Sequence, residues 1–260
     1  MANSALHVAR TGLDAQNQRM RVIANNLANV NTTGFKRDRA TFETLAYQNI
    51  TSPGAPSSKA NKYAVGLSLG SGVQMTGTAR IDTQGSFTTT SNALDLAIEG
   101  NGYFQVLTPD GRTAYTRAGD FSLSADGKLV TGTGMPVQPE IQIPDGAQSI
   151  SIAADGTVSA SVAGTSTELG KVETARFVNA AGLENIGDNL LIETAASGTP
   201  QVGAPGSEGR GALRSGALEA SNVNVVEELV DMIETQRAYE VNSKMISATD
   251  EMLKYVNQQL

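Results

Sequence analysis

Leu6, Ala9, Leu13, Gln16, Met20, Ile23, Leu27 and Val30 recur at alternating spacings of three and four residues. That repeat puts seven apolar groups and one amide on a single helical stripe. The spacing predicts a helix from about Ser4 to Val30, roughly 40 Å long at 1.5 Å per residue. Asn31-Thr-Thr-Gly34 ends it, with Gly34 available for a chain reversal. A stripe this long needs a partner along its whole length, which limits what the rest of the chain can be.

The other end carries a second helical pattern. Asn224-Val-Val-Glu227 has the spacing of a capping box, with Asn in the leading position. Val225, Leu229, Met232, Gln236, Tyr239, Ser243, Ile246, Asp250, Leu253, Asn257 and Leu260 continue at spacings of four and three. Beside them runs another apolar stripe through Val226, Val230, Ile233, Val241, Met245, Ala248, Met252 and Val256. A two-helix hairpin covers one stripe; two stripes call for more neighbours, which other copies of the chain can supply. Charge agrees with pairing of the ends. Residues 1–39 hold six Lys/Arg and two acids, residues 221–260 three and seven, so the ends are +4 and −4.

The middle is built differently. Short apolar–polar runs alternate with turn residues, and 27 glycines and an aromatic content of 5% suit many small strands. Tyr103–Leu107 and Thr113–Tyr115 flank Pro109-Asp-Gly111 as a hairpin. Phe121–Leu123 and Lys128–Val130 flank Asp126-Gly127, and Ile150–Ile152 and Thr157-Val158 flank Asp155-Gly156. Ala175–Phe177 and Leu190–Ile192 read as further strands. Residues 47–64, YQNITSPGAPSSKANKYA, have neither period and read as a long extended loop.

The expected fold is therefore α+β, with long terminal helices forming a coiled-coil assembly domain around a β-rich middle. The expected divisions are 1–34 (N-terminal helix), 35–80 (an extended connection containing the 47–64 loop), 81–210 (the β-rich domain) and 211–260 (the C-terminal helix and its lead-in).

Chemistry is hard to find in this chain. With no cysteine, disulfides, zinc–thiolate sites and thiol nucleophiles are excluded. The one histidine, His7, lies near the N-terminus, away from any rigid scaffold. Gly70-Ser-Gly72, Gly100-Asn-Gly102 and Gly209-Arg-Gly211 all lack the third glycine of a dinucleotide-binding turn. Asp95 and Glu99 are too far apart along a strand, roughly 13 Å, for a glycosidase pair. No catalytic residue, metal site or cofactor is expected. A net charge of −7 argues against nucleic-acid binding. No apolar run is long enough to span a membrane, and the N-terminus has no secretory signal pattern.

Ile23-Ala-Asn-Asn-Leu-Ala-Asn-Val-Asn-Thr-Thr-Gly-Phe-Lys36 resembles the N-terminal signature of the bacterial flagellar rod and hook proteins. Ser221 to Glu240, SNVNVVEELVDMIETQRAYE, resembles the matching C-terminal end. Glu99-Gly-Asn-Gly-Tyr-Phe-Gln-Val106 and Tyr115-Thr-Arg-Ala-Gly-Asp-Phe121 extend the likeness through the middle. The resemblance marks Asn25, Asn26, Asn29, Gly34, Phe35 and Lys36 as signature residues. It implies assembly through Leu6, Leu13, Met20, Ile23, Leu27 and Val30 on the first helix. On the second it implies Val225, Leu229, Met232, Ile233, Tyr239, Ile246 and Leu253.

Chain length and the 47–64 stretch point, within that family, to the distal part of the rod. Tyr47, Pro53, Gly54 and Pro56 would then belong to a loop that stiffens the polymer. The implied partners are further copies of the chain, proximal rod proteins, the hook protein and the P- and L-ring proteins. The implied route is the flagellar type III export apparatus, and the implied site a rod crossing the periplasm.

Overall fold

The computed structural model describes the backbone of residues 2–56, 62–144, 146–162 and 165–259. Side chains are described for these apart from residues 2–4, 253, 256, 257 and 259. Leu253, Val256, Asn257 and Leu260 of the expected C-terminal stripes therefore lie outside the described side chains, and residues 57–61 of the 47–64 stretch outside the described residues.

Two α-helices are present among the described residues, α1 (Ala2–Ala28) and α2 (Val225–Gln259). Between them run short antiparallel strands joined by turns and loops. It divides into two compact units. One comprises residues 1–27, 38–79 and 224–260; the other comprises 28–37 and 80–223.

In the helical unit α1 and α2 run antiparallel. Gly12 lies opposite Asn242, where a Cβ would stand 3.1 Å from Asn242 Nδ2. Farther along, Arg19 donates to Asp231 at 3.4 Å, and Asn26 Nδ2 to Glu228 Oε2 at 3.3 Å. Strand Asp38–Thr44 pairs with Val73–Arg80, and Tyr47–Thr51 pairs with Leu67–Gly70. Against α1, Gly72 at φ +117° passes so close to Thr11 that any Cβ would overlap its hydroxyl. The Thr11 hydroxyl accepts from Val73 N at 3.4 Å.

This geometry corrects the coiled-coil expectation. There is one helix at each end and a strand-rich remainder, without long coiled coils at both termini. The face of α2 turned toward α1 carries Glu228, Asp231, Thr235 and Asn242, not a run of heptad apolar groups. Knobs-into-holes packing requires apolar side chains at those positions; polar ones contact the neighbouring helix through hydrogen bonds instead. The aperiodic reading of 47–64 is also corrected at its start, since Tyr47–Thr51 is a strand. Its partner begins 16 residues after that strand ends, beyond any local period.

The β unit is organised around a seven-stranded antiparallel sheet. Its path runs Glu184–Gly187, Leu190–Ile192, Thr113–Thr116, Tyr103–Leu107, Thr174–Arg176, Gln201–Gly203; Val137–Gln138 also pairs with Tyr103–Leu107. Side chains alternate between faces. Phe104 and Val106 enter a large core with Leu96, Ile98, Phe121, Leu129, Val158, Val172 and Leu213. Tyr103 and Tyr115 enter a smaller one with Ala175, Phe177, Leu183 and Leu191. Two covered faces explain why Tyr103–Leu107 lacks a polar alternation. Rings lock each cluster edge to face: Phe104 and Phe121 centroids are 5.0 Å apart, Tyr115 and Phe177 4.8 Å.

The three expected hairpins form. Leu107 pairs with Thr113, Leu129 with Leu123, and Ile152 with Val158.

Candidate assembly site

The most tightly bonded group in the β unit is ionic. Lys36 Nζ donates to Glu219 Oε1 at 2.5 Å, and Arg117 Nε to Glu219 Oε2 at 2.6 Å. All three side chains are buried, Glu219 completely. A buried carboxylate between two cations persists only if the remaining donors and lone pairs are satisfied, and here they are. Gly85 N donates to Glu219 Oε1 at 3.0 Å, and Lys36 also reaches Thr83 O at 2.8 Å. Arg117 donates to the carbonyls of Ile98, Gly100 and Gly102 at 2.9, 2.6 and 2.5 Å.

Electrostatics follow from this packing. Burial alone would raise the Glu219 carboxyl, but Arg117 and Lys36 outweigh it and hold it below the ordinary carboxylate value. Burial lowers the Lys36 ammonium, against the opposing pull of Glu219. Nearby, burial pushes the Tyr115 phenol up to about 12, helped by Glu193.

Neighbouring backbone joins the same knot. Gly34 N donates to Glu219 O at 2.8 Å. Gly34 sits at φ +68°, and a Cβ there would stand 2.6 Å from Ala118 N, so glycine is required twice over. Asn222 accepts from Arg37 N at 2.7 Å and donates to Ile81 O at 2.8 Å. Gln84 bridges Ile98 O and Gly100 N at 2.6 and 2.9 Å. Four stretches singled out in the sequence thus meet in the β unit: Gly34–Lys36, Glu99–Val106, Tyr115–Phe121 and the start of Ser221–Glu240. Glu219, Gln84 and Asn222 were not singled out individually. Each acts through partners far off in the chain, so none has a local signature.

The other signature residues separate by location. Asn26 is buried in the helical unit, where its amide copies a strand partner. Its Oδ1 accepts from Asp38 N at 3.0 Å and its Nδ2 donates to Asp38 O at 2.9 Å. Asn29 accepts from the Thr32 hydroxyl at 3.1 Å. Asn25 is exposed, and Phe35 is buried.

Of the assembly positions on α1, Ile23 is buried and Leu6, Leu13, Met20 and Leu27 are half-buried; Val30, expected on the same helix, is half-buried in the turn after its end at Ala28. On α2, Met232 and Ile246 are half-buried, while Val225, Leu229, Ile233 and Tyr239 are exposed. Val226, Val230, Val241, Met245, Met252 and Tyr255 are exposed as well. The paired strands after α1 add Tyr47, Ile50, Tyr63, Val65, Leu67 and Leu69, with Val65 81% exposed. Pro53, Gly54 and Pro56 are exposed beside them. So many large apolar side chains left in water in one unit are the mark of a surface that another macromolecule covers.

Three family models match the chain: the flagella basal body rod protein model at residues 6–36, the flagellar hook protein FlgE/F/G D1 domain at 97–160, and the flagellar basal body rod FlgEFG protein C-terminal model at 214–259. The flagellar basal-body rod protein FlgG of Buchnera aphidicola subsp. Acyrthosiphon pisum is 51% identical over 256 residues, spanning 98% of each chain. Its namesake from Agrobacterium fabrum is 47% identical, spanning 98% of this chain and 99% of its own. The chain belongs to the flagellar basal-body rod protein family. A more distant relative, the flagellar hook-basal body complex protein FlhP of Bacillus subtilis, is 30% identical over 96% of both chains.

In this rod-family chain the three matched segments coincide with distinct structural parts. The first covers α1 and the turn to Lys36, the second the start of the β core, the third α2 and the strand before it. The family is one of structural proteins. Among the described residues no cluster of acidic or histidine side chains could hold a metal ion, and no helix is long and apolar enough to cross a membrane.

Proposed function

We propose that the chain is a subunit of the distal rod, polymerising into a stiff, hollow helical shaft that carries torque from motor to hook. The observation that carries this reading is the uneven finish of the molecule. The β unit closes over its own core, whereas α2 and the strands of residues 47–70 expose apolar side chains. Covering such surface in an assembly is favourable by about 25 cal/mol for each Å² removed from water. Copies that meet head to tail without closing a ring generate a helical polymer.

In that polymer Leu6, Leu13, Met20, Ile23 and Leu27 of α1, and Val30 just beyond it, would meet neighbouring copies, together with Val225, Leu229, Met232, Ile233, Tyr239, Ile246 and Leu253 of α2. The oppositely charged ends contribute register more than affinity. The segment with Tyr47, Pro53, Gly54 and Pro56 wedges between neighbours and keeps the shaft straight, helped by the restricted backbone of its prolines. The shaft crosses the periplasm, joins proximal rod proteins to the hook protein, and turns inside the P- and L-rings. Subunits leave the cell body through the flagellar type III apparatus. The chain acts without catalysis or a cofactor.

Electron microscopy of the purified protein at high concentration tests this. Straight helical tubes are expected; a protein that stays monomeric at every concentration rejects the reading. Deleting residues 47–64 should give tubes that bend or supercoil, and deletion tubes as straight as the parent reject the wedge.

A further inference from the structure

The β unit is acidic, with ten Lys/Arg and sixteen Asp/Glu in residues 28–37 and 80–223. It nevertheless holds a net cationic cleft of about 230 Å³ whose lining includes Lys36, Arg117, Arg176, Asp82, Phe177 and Val178. Glu219 and Asp82 together offset the charges of Lys36 and Arg117. Among the described residues Arg176 has no carboxylate partner: its guanidinium donates to the carbonyl of Glu208 at 3.1 Å. Val178, at the rim, is 83% exposed. The cleft thus offers unspent positive charge beside a bare apolar side chain.

An edge of complementary charge stands on the same sheet. Strand Glu184–Gly187 is paired on one side only and is exposed throughout. It places Ile186 between Glu184 and Asp188, and neither acid has an ion-pair partner among the described residues. Asp188 is held at the hairpin tip with φ +50°.

We infer that the Glu184–Asp188 edge of one copy docks into the Arg176–Val178 cleft of a second copy, Ile186 covering Val178 and a carboxylate reaching Arg176. Within one molecule the two cannot meet. Four strand-to-strand steps separate Glu184–Gly187 from Thr174–Arg176, roughly 19 Å at the usual spacing. The contact joins two different patches of the chain, so when each copy's edge enters the cleft of the next copy it propagates instead of closing. It rests on the polymer reading above and assigns a specific lateral contact to the β unit.

The absence of cysteine makes a clean test possible. Full-length V178C and I186C are mixed, polymerised, and oxidised with copper–phenanthroline. A covalent dimer is expected from the mixture and only weakly from either variant alone, because a disulfide requires Cα atoms within about 7 Å. Both substitutions are on exposed residues, so folding is preserved. In parallel, R176E should lower polymer yield by on the order of tenfold at low salt, and adding D188R should restore it; circular dichroism checks that the fold is intact.

Polymers that form from the mixture without the cross-link overturn the contact and leave the shaft reading standing. Dimers from V178C alone overturn it in favour of a cleft-to-cleft contact. A parent protein that never polymerises removes both.

Discussion

The two units of the chain solve the same problem in opposite ways. Each must satisfy polar groups and cover apolar ones. The β unit does most of this internally: Phe104, Val106 and Leu213 are buried, and both cations of the Lys36–Glu219–Arg117 group bond the shared carboxylate. The helical unit puts Glu228, Asp231, Thr235 and Asn242 on the inner side of α2 and leaves Val226, Val230 and Met252 in water. A unit that is finished resists substitution inside and tolerates it outside. A unit left unfinished should show the reverse: its surface controls assembly, and its interior joins a few buried apolar groups such as Ile23 to a set of hydrogen bonds.

The sharpest way to break this comparison is Glu219→Ala. It strands two buried cations, and a loss of about 3–5 kcal/mol is expected in urea unfolding. A loss under about 1 kcal/mol would mean the ionic group is not buried as described.

Asn26→Ala comes next. It removes the paired hydrogen bonds to Asp38 and the contact with Glu228. About 1–3 kcal/mol should be lost locally. Hydrogen exchange reads this as faster exchange around Asp38, with the β core unchanged; equal acceleration in both units would blur the distinction.

Acid offers a third test. The Glu219 carboxyl is held below its ordinary value of 4.5 in the folded chain. Its stabilising contribution is therefore complete above that value and is lost as pH falls through the lower folded one. The β unit should weaken below about pH 4.5. Glu219→Gln should flatten that part of the pH profile, and an unchanged profile would assign the acid sensitivity to other carboxylates.

The smallest effect on stability is expected at the surface of α2. Leu229→Ser should change unfolding free energy by about 0.5 kcal/mol or less, yet reduce polymer yield measured by sedimentation. If stability falls and assembly does not, the exposed stripe serves the monomer.

What could be read in advance depended on range. Helix positions came from a period of three to four residues, and hairpins such as Tyr103–Leu107 with Thr113–Thr116 from turn residues a few positions away. The pairing of Tyr47–Thr51 with Leu67–Gly70 was missed because its partner lies across an aperiodic stretch. Lys36 was legible as part of a signature. Glu219 was not, since its contacts span 102 and 183 residues and leave no periodic trace. The heptad reading of α2 erred for a related cause. Periodicity shows that a helix has an apolar side; it does not show whether that side faces the chain's own helix or solvent.

The sequence by itself determined two terminal helices, a strand-rich middle and membership of a rod-forming family, because each is written in local spacing or in long matched segments. Only the tertiary structure decided which way α2 turns, which carboxylate neutralises Lys36 and Arg117, and where the unneutralised Arg176 lies. Those outcomes depend on which distant groups compete for the same buried space, and no stretch of sequence contains both competitors.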